Sequence, residues 1–209
     1  LLRKRHVELA KQSIKIGSIV GLVASFLTAF TGHDSAYMVA QTQPMKLAAM
    51  EALYEGGNSQ SLTGIAMVNP FKQPDYMNES EPPVRIAIPN VLSILATKSV
   101  NGYVPGVRDI IKGYTKADGT KEPSLKEKQE RGKKAIQALK DYRAGKDKES
   151  NEKILNHDMK YFGYGYIKDA NQLVPFIPIN FWAFRIMVGL GDLFILVFAV
   201  MLFLLYKKD

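Results

Sequence analysis

The stretch FWAFRIMVGLGDLFILVFAVMLFLLY, residues 181–206, interrupts its apolar run only at Arg185 and Asp192. Twenty-six residues of helix cross the hydrocarbon of a bilayer with some tilt to spare, so this segment reads as a transmembrane helix. Phe181, Trp182 and Phe184 supply aromatic side chains for one interface, and Tyr206, Lys207 and Lys208 mark the other. A second charge-free run, IGSIVGLVASFLTAFTG at residues 16–32, is close to the shortest length that spans. Its Gly17, Gly21, Ser25 and Thr28 are small residues at helical spacing, which favours close approach of another helix and hence a bundle.

The orientation of both spans follows from the basic residues beside them. Arg3, Lys4, Arg5, Lys11 and Lys15 precede the first span, and Lys207 and Lys208 follow the second. Positive charge stays on the cytoplasmic side, so both ends are expected there and the roughly 145 residues between the spans outside. The expected divisions are 1–32 (basic end and span), 33–178 (extracytoplasmic loop) and 179–209 (span and basic end). The overall +8 charge over 209 residues does not mark a nucleic-acid surface. Its central share, at residues 126–143, mixes Lys with Glu as a solvated helix face does. With no cysteine, this chain excludes disulfides, thiolate catalysis and Cys-held clusters. No initiator Met and no small-residue cleavage motif are present, so an internal fragment is expected.

Within the loop, Gln43 and Pro44 suit the start of a helix over 44–55, with Gly56 and Gly57 as its stop. Residues from there to Pro83 read as a loop without regular elements. Pro89 disfavours a central strand and opens a short, partly buried helix from Asn90. Ser124 followed by Glu127 is a capping box for a Lys-rich helix ending near Gly145, with Ala135, Ile136, Leu139 and Tyr142 on one face. A further helix over about 150–162 leads into a Gly163-Tyr164-Gly165 turn, better explained by tight packing than by nucleotide binding.

His6, His33 and His157 stand alone, without ligand spacing, so no metal site is expected in this chain. Neither span contains His, and Met187 has no intramembrane partner here, so haem ligation by the chain is not expected either. The informative stretch is Gln43-Pro44-Met45-Lys46-Leu47-Ala48-Ala49-Met50-Glu51-Ala52-Leu53-Tyr54-Glu55, apolar for an exposed segment and immediately beyond a span. It resembles the quinol-binding loop of cytochrome bd oxidase subunit I, in which a Gln-x-x-Lys-Leu-Ala-Ala-x-Glu pattern follows the sixth span after a Gly-acidic-Ser-x-Tyr approach. Tyr37, Gln43, Lys46, Leu47, Ala48, Ala49 and Glu51 match. The resemblance continues through Ile88-Pro89, Ile94 to Thr97, Gly163-Tyr164-Gly165 and Phe184-Arg185-Ile186-Met187, and so covers essentially the whole chain. Asp192 departs from it, the family being usually apolar there.

The resemblance implies a mainly α integral membrane protein: two transmembrane helices, the sixth and seventh, flank a mostly helical loop and belong to a larger helix bundle in the bacterial cytoplasmic membrane. It implies a quinol:oxygen oxidoreductase of aerobic respiration with haem b and haem d, whose ligands lie on spans outside this chain. Its partners are quinol, the remaining helices of the subunit, a second oxidase subunit and membrane lipid. Glu51 is the implied catalytic residue and binds quinol with Lys46, with Tyr37, Gln43 and Arg185 in support.

Quinol oxidation releases two electrons and two protons, so a site needs a proton acceptor, a group that orients oxygen and an apolar surface. Glu51 suits the first and Lys46 the second, with Met45, Ala49, Met50 and Leu53 as candidates for the third. On one helix Glu51 and Glu55 are like charges four apart, which raises a carboxyl pKa where the site is dry. Arg185 can meet a carboxylate or a haem propionate near the interface. On one helix face with Asp192, it can also reach that residue. Without the resemblance, the residues equally fit a two-span membrane protein whose outer domain binds a ligand or protein without redox chemistry.

Overall fold

The computed structural model describes residues 6–82, 84–116 and 118–207. Arg3, Lys4, Arg5 and Lys208, which contribute to the expected orientation, lie outside them. Two long antiparallel helices, α1 (Val7–Thr42) and α8 (Ile177–Lys207), carry the remaining elements between them. Both are long and apolar enough to cross a membrane. Lys15 lies over the ring of Tyr206 at 4.9 Å, and the Ser18 hydroxyl donates to the Met201 sulfur at 3.6 Å. The expected small-residue packing is met at Gly21, whose missing Cβ leaves room for the Phe198 ring. Ser25 and Thr28 instead bond back to their own helix.

Helix α1 does not stop at residue 32 but runs ten residues further. It ends where the chain meets Pro44, because a residue before proline avoids the helical region and Gln43 sits at φ −136°, ψ 59°. Pro44 then opens α2 (Pro44–Glu51), its missing N–H costing nothing at a helix start. The expected helix over 44–55 is cut short at Glu51. Ala52 turns left-handed at φ 49°, which sends Leu53 and Tyr54 into the core, where each is 3% exposed. Gly56 and Gly57 are therefore not the helix stop. Gly56 packs so close to Asp109 and the Val104 carbonyl that a Cβ would collide with both, and its N–H donates to the Asp109 carboxylate at 2.6 Å.

The segment expected to be loop contains β1 (Leu62–Ala66), paired antiparallel with β2 (Arg85–Ile88) through an irregularity between Thr63 and Ile65. Pro89 ends β2 without interrupting it, so a strand and the expected helix, α3 (Val91–Thr97), both fit around one proline. The Ser93 hydroxyl ties α3 inward by accepting from the Gln60 N–H and donating to the Gly102 carbonyl, both at 2.7 Å. Helix α4 (Val107–Lys112) and a short hairpin, β3 (Tyr114–Thr115) with β4 (Lys121–Glu122), follow.

Helix α5 (Leu125–Arg143) starts at Ser124, whose hydroxyl accepts the Glu127 N–H at 3.4 Å as the capping pattern predicts. Its inward stripe is Leu125, Lys128, Gly132, Ala135 and Ala138. The expected face is correct at Ala135, but Ile136 and Leu139 are half-buried and Tyr142 is exposed. The shift has a cause in the neighbour. After α6 (Lys148–Asp158), residues Met159–Tyr166 form a 3₁₀ helix in place of the expected turn, and its Gly165 lies directly against Gly132. Only small residues permit two backbones to meet this way, so α5 turns glycine and alanine inward. The chain reaches α8 through α7 (Ala170–Leu173).

The main core joins Met45, Ala48, Ala49 and Ala52 of the α2 region to Tyr54, Ala66, Val107, Ile110, Ile177 and Phe181. The loop elements thus pack on the first turns of α8. Phe181 is fully buried there, a core residue and not a member of an interfacial aromatic belt.

A methyl at residue 132 would stand 2.4 Å from the Gly165 nitrogen and 2.5 Å from the Tyr161 carbonyl. Gly132→Ala is expected to destabilise the α5 unit by about 1–3 kcal/mol. Limited proteolysis of the parent membrane protein would show faster cleavage within residues 125–166 while α1 and α8 stay intact; unchanged cleavage would contradict the backbone contact.

Candidate functional site

Glu51 ends α2 and Arg185 lies in the third turn of α8, 134 residues away, yet their side chains meet in the core. Arg185 Nη2 donates to Glu51 Oε2 at 2.9 Å and to the Thr63 carbonyl at 2.7 Å. Its Nη1 donates to the Met50 carbonyl and, at 3.4 Å, to that of Phe181. The Thr63 N–H completes the cluster by donating to Glu51 Oε2 at 3.3 Å. The guanidinium also stacks over the Phe181 ring at 3.7 Å. The side chains are only 2% and 11% exposed, so this is a buried ion pair.

Among the described residues, two atoms of the cluster have no hydrogen-bond partner. Glu51 Oε1 and Arg185 Nε are both buried and unbonded. An unsatisfied acceptor and an unsatisfied donor in one cluster are groups that a hydroxyl or a water can satisfy. Burial pushes the Glu51 carboxyl above its ordinary value; the Arg185 charge and the Thr63 N–H oppose this without cancelling it. The expected cause, repulsion from Glu55, is absent. Glu55 lies beyond the end of α2, largely exposed, with Arg108 at 3.7 Å.

Among the other residues expected at the site, Lys46 is exposed on α2. Five helical residues separate it from Glu51, a rotation of about 140°, so the two face different sides. Tyr37, in the last turns of α1, has Lys98 over its ring at 4.5 Å. Gln43 makes no side-chain capping bond; its carbonyl accepts the Lys46 N–H at 3.0 Å as α2 begins. The structure therefore brings Glu51 and Arg185 together and leaves Tyr37, Gln43 and Lys46 outside their cluster.

Met45, Ala49 and Leu53 are consumed by the core and do not form a free apolar surface for a ligand. Arg185 is directed to Glu51 and three backbone carbonyls, and among the described residues none of its hydrogen bonds goes to Asp192. Thr63 escaped the sequence reading altogether, since it acts through its backbone N–H and carbonyl, which carry no residue signature. The signal for Arg185 was legible, because a charge within an apolar span demands a partner.

Removing one member of a buried pair strands the other charge, at a cost of about 3–5 kcal/mol, whereas replacing both by apolar residues costs much less. Arg185→Leu is therefore expected to lower the thermal stability of the parent protein more than Arg185→Leu with Glu51→Leu. A double variant at least as unstable as the single would rule the pair out as the joint between α2 and α8.

Comparison with known proteins bears on the whole chain. The profile described as Cytochrome bd terminal oxidase subunit I matches residues 1–208. Cytochrome bd-II ubiquinol oxidase subunit 1 of Escherichia coli (strain K12) is 32% identical over 221 residues, covering 97% of this chain and 39% of that protein. Cytochrome bd ubiquinol oxidase subunit 1 of Bacillus subtilis (strain 168) is 36% identical over 120 residues, 57% of this chain and 24% of that protein. The chain thus spans well under half the length of these relatives, and with its two apolar helices, helical loop domain and near-complete match it belongs to the cytochrome bd terminal oxidase subunit I family.

Proposed function

We propose that the chain forms the quinol-oxidising region of a terminal oxidase that passes electrons from quinol through haems to oxygen, producing water and contributing to a proton gradient. The observation that carries this reading is the orphaned acceptor Glu51 Oε1, held in a dry pair with Arg185 where the loop domain joins a candidate span. The names of the relatives, both ubiquinol oxidases, support the substrate class.

In this reading α1 and α8 cross the bacterial cytoplasmic membrane with both ends inside and residues 33–178 outside. Quinol protons leave on the outer side. Glu51 Oε1 accepts a proton from a quinol hydroxyl, a task suited to a carboxyl whose proton affinity is raised by burial. Arg185 and Thr63 fix Oε2, so the free oxygen keeps one direction. Lys46, exposed on α2, contacts a quinol oxygen from the solvent side. The remaining helices of the subunit and a second subunit complete the assembly.

Haem iron takes His, Cys, Met or Tyr as axial ligands. The Met187 thioether, two residues beyond Arg185 and 61% exposed on α8, is a donor of that type. A haem bound against this face would be held in part by the Met187 thioether, whereas the sequence alone placed all haem ligands outside this chain. When bound, haem accepts the electrons that quinol releases.

Glu51→Ala in the parent oxidase is expected to abolish most quinol-dependent oxygen consumption while haem spectra stay normal; full activity would remove Glu51 from the reaction. The pH profile gives a separate readout. A basic carboxylate is lost as pH falls through its pKa, so activity declines on the acid side. Arg185→Gln removes the charge that lowers the Glu51 pKa, and this acid limb should move to higher pH. A limb that stays in place would assign it to another group.

A further inference from the structure

We propose that the outward face of the β1–β2 hairpin lies in the headgroup layer of the outer leaflet and contacts lipid. Ile65, Met67, Val84, Ile86 and Ile88 are each between 57 and 72% exposed. They form one row, because Ile65 pairs with Ile86 and Leu62 with Ile88, and the Met67 N–H donates to the Val84 carbonyl. The opposite side of β1 is also apolar or buried, through Thr63, Ala66 and Val68. A hairpin apolar on both faces is built to be covered on both, and a soluble surface rarely leaves such a row bare.

The height of the hairpin follows from its bonds to α8. Counting about twenty residues back from Lys207, the length that spans hydrocarbon, reaches Met187. Residues 177–186 then rise about 15 Å above the hydrocarbon boundary. The Thr63 carbonyl is held by Arg185 at 2.7 Å and the Val68 carbonyl by the Trp182 indole N–H at 3.1 Å. Higher still, the Gln73 side chain accepts the Ile177 N–H at 2.9 Å and donates to the Pro175 carbonyl at 3.2 Å. The chain therefore climbs alongside α8 from residue 63 to residue 73. On this scale Thr63 sits about 3 Å and Val68 about 7 Å above the hydrocarbon, within a headgroup layer about 5–7 Å thick. The antiparallel helix agrees with the inner boundary, since Lys15 lies beside Tyr206 and the charge-free run begins at the next residue.

Lipid fits the row better than a protein partner does. It is aliphatic throughout and lacks the Tyr, Trp and Arg that anchor protein interfaces. The inference rests on α1 and α8 crossing a membrane and not on quinol chemistry.

The test places a photo-reactive benzoylphenylalanine at residue 65 or 86 of the full parent oxidase in proteoliposomes, with residue 137 on the exposed side of α5 as reference. Mass analysis after illumination is expected to find phospholipid adducts at 65 and 86 and none at 137. Adducts to another polypeptide or to a distant segment of the same subunit would overturn the proposal and make the row a protein interface. Incorporated probe with neither adduct at 65 and 86 would leave the face in water and overturn it equally. Retention of the oxidase in membranes after an alkaline wash reads the spans separately, and quinol turnover of the same variants reads the redox function separately.

Discussion

The contact between Glu51 and Arg185 joins two regions of the chain that nothing local would bring together. A guanidinium on an apolar helix must satisfy its charge, and here it does so with a carboxylate and three backbone carbonyls. The partners come from three places: Met50 and Glu51 at the end of α2, Thr63 in the strand β1, and Phe181 in α8 itself. The ion pair therefore sets where the loop domain sits on the helix, and the core residues around it, Ala49, Ala52, Ala66, Ile177 and Phe181, pack in the position it defines.

The same contact shapes chemistry. Fixing Glu51 Oε2 with two donors leaves Oε1 as the one oxygen of that carboxylate without a partner. Burial raises the proton affinity of the group, and the Arg185 charge and the Thr63 N–H act against that rise. The left-handed turn at Ala52 is part of the arrangement, because ending α2 at Glu51 separates the acid from Glu55 and lets the chain bury Leu53 and Tyr54 behind it.

Elsewhere the loop domain is held by close backbone approaches and not by bulky side chains. Gly56 against residues 104–109, and Gly132 against Gly165, place main chains where no Cβ fits. Asp109 bonds the N–H groups of both Gly56 and Gly106, which locks the first approach. These contacts explain how a long connection with two small sheets holds a defined shape beside the helices.

The amino-acid sequence by itself determined the two apolar helices, the capped start of α5, the short helix after Pro89 and the matched set that includes Lys46 and Glu51. Those features depend on neighbours within a few residues: hydropathy over a span's length, a serine three residues before a glutamate, a proline that stops one helix and starts the next. The early end of α2, the β1–β2 pairing, the inward face of α5 and the role of Thr63 were decided only by tertiary structure. In each case the winning interaction is made with atoms distant in the chain, through backbone groups or missing side chains that leave no local pattern. The partner of Arg185 shows the division most clearly, since an unpaired charge in a span announces that a partner must exist, and only packing selects Glu51 from 134 residues away.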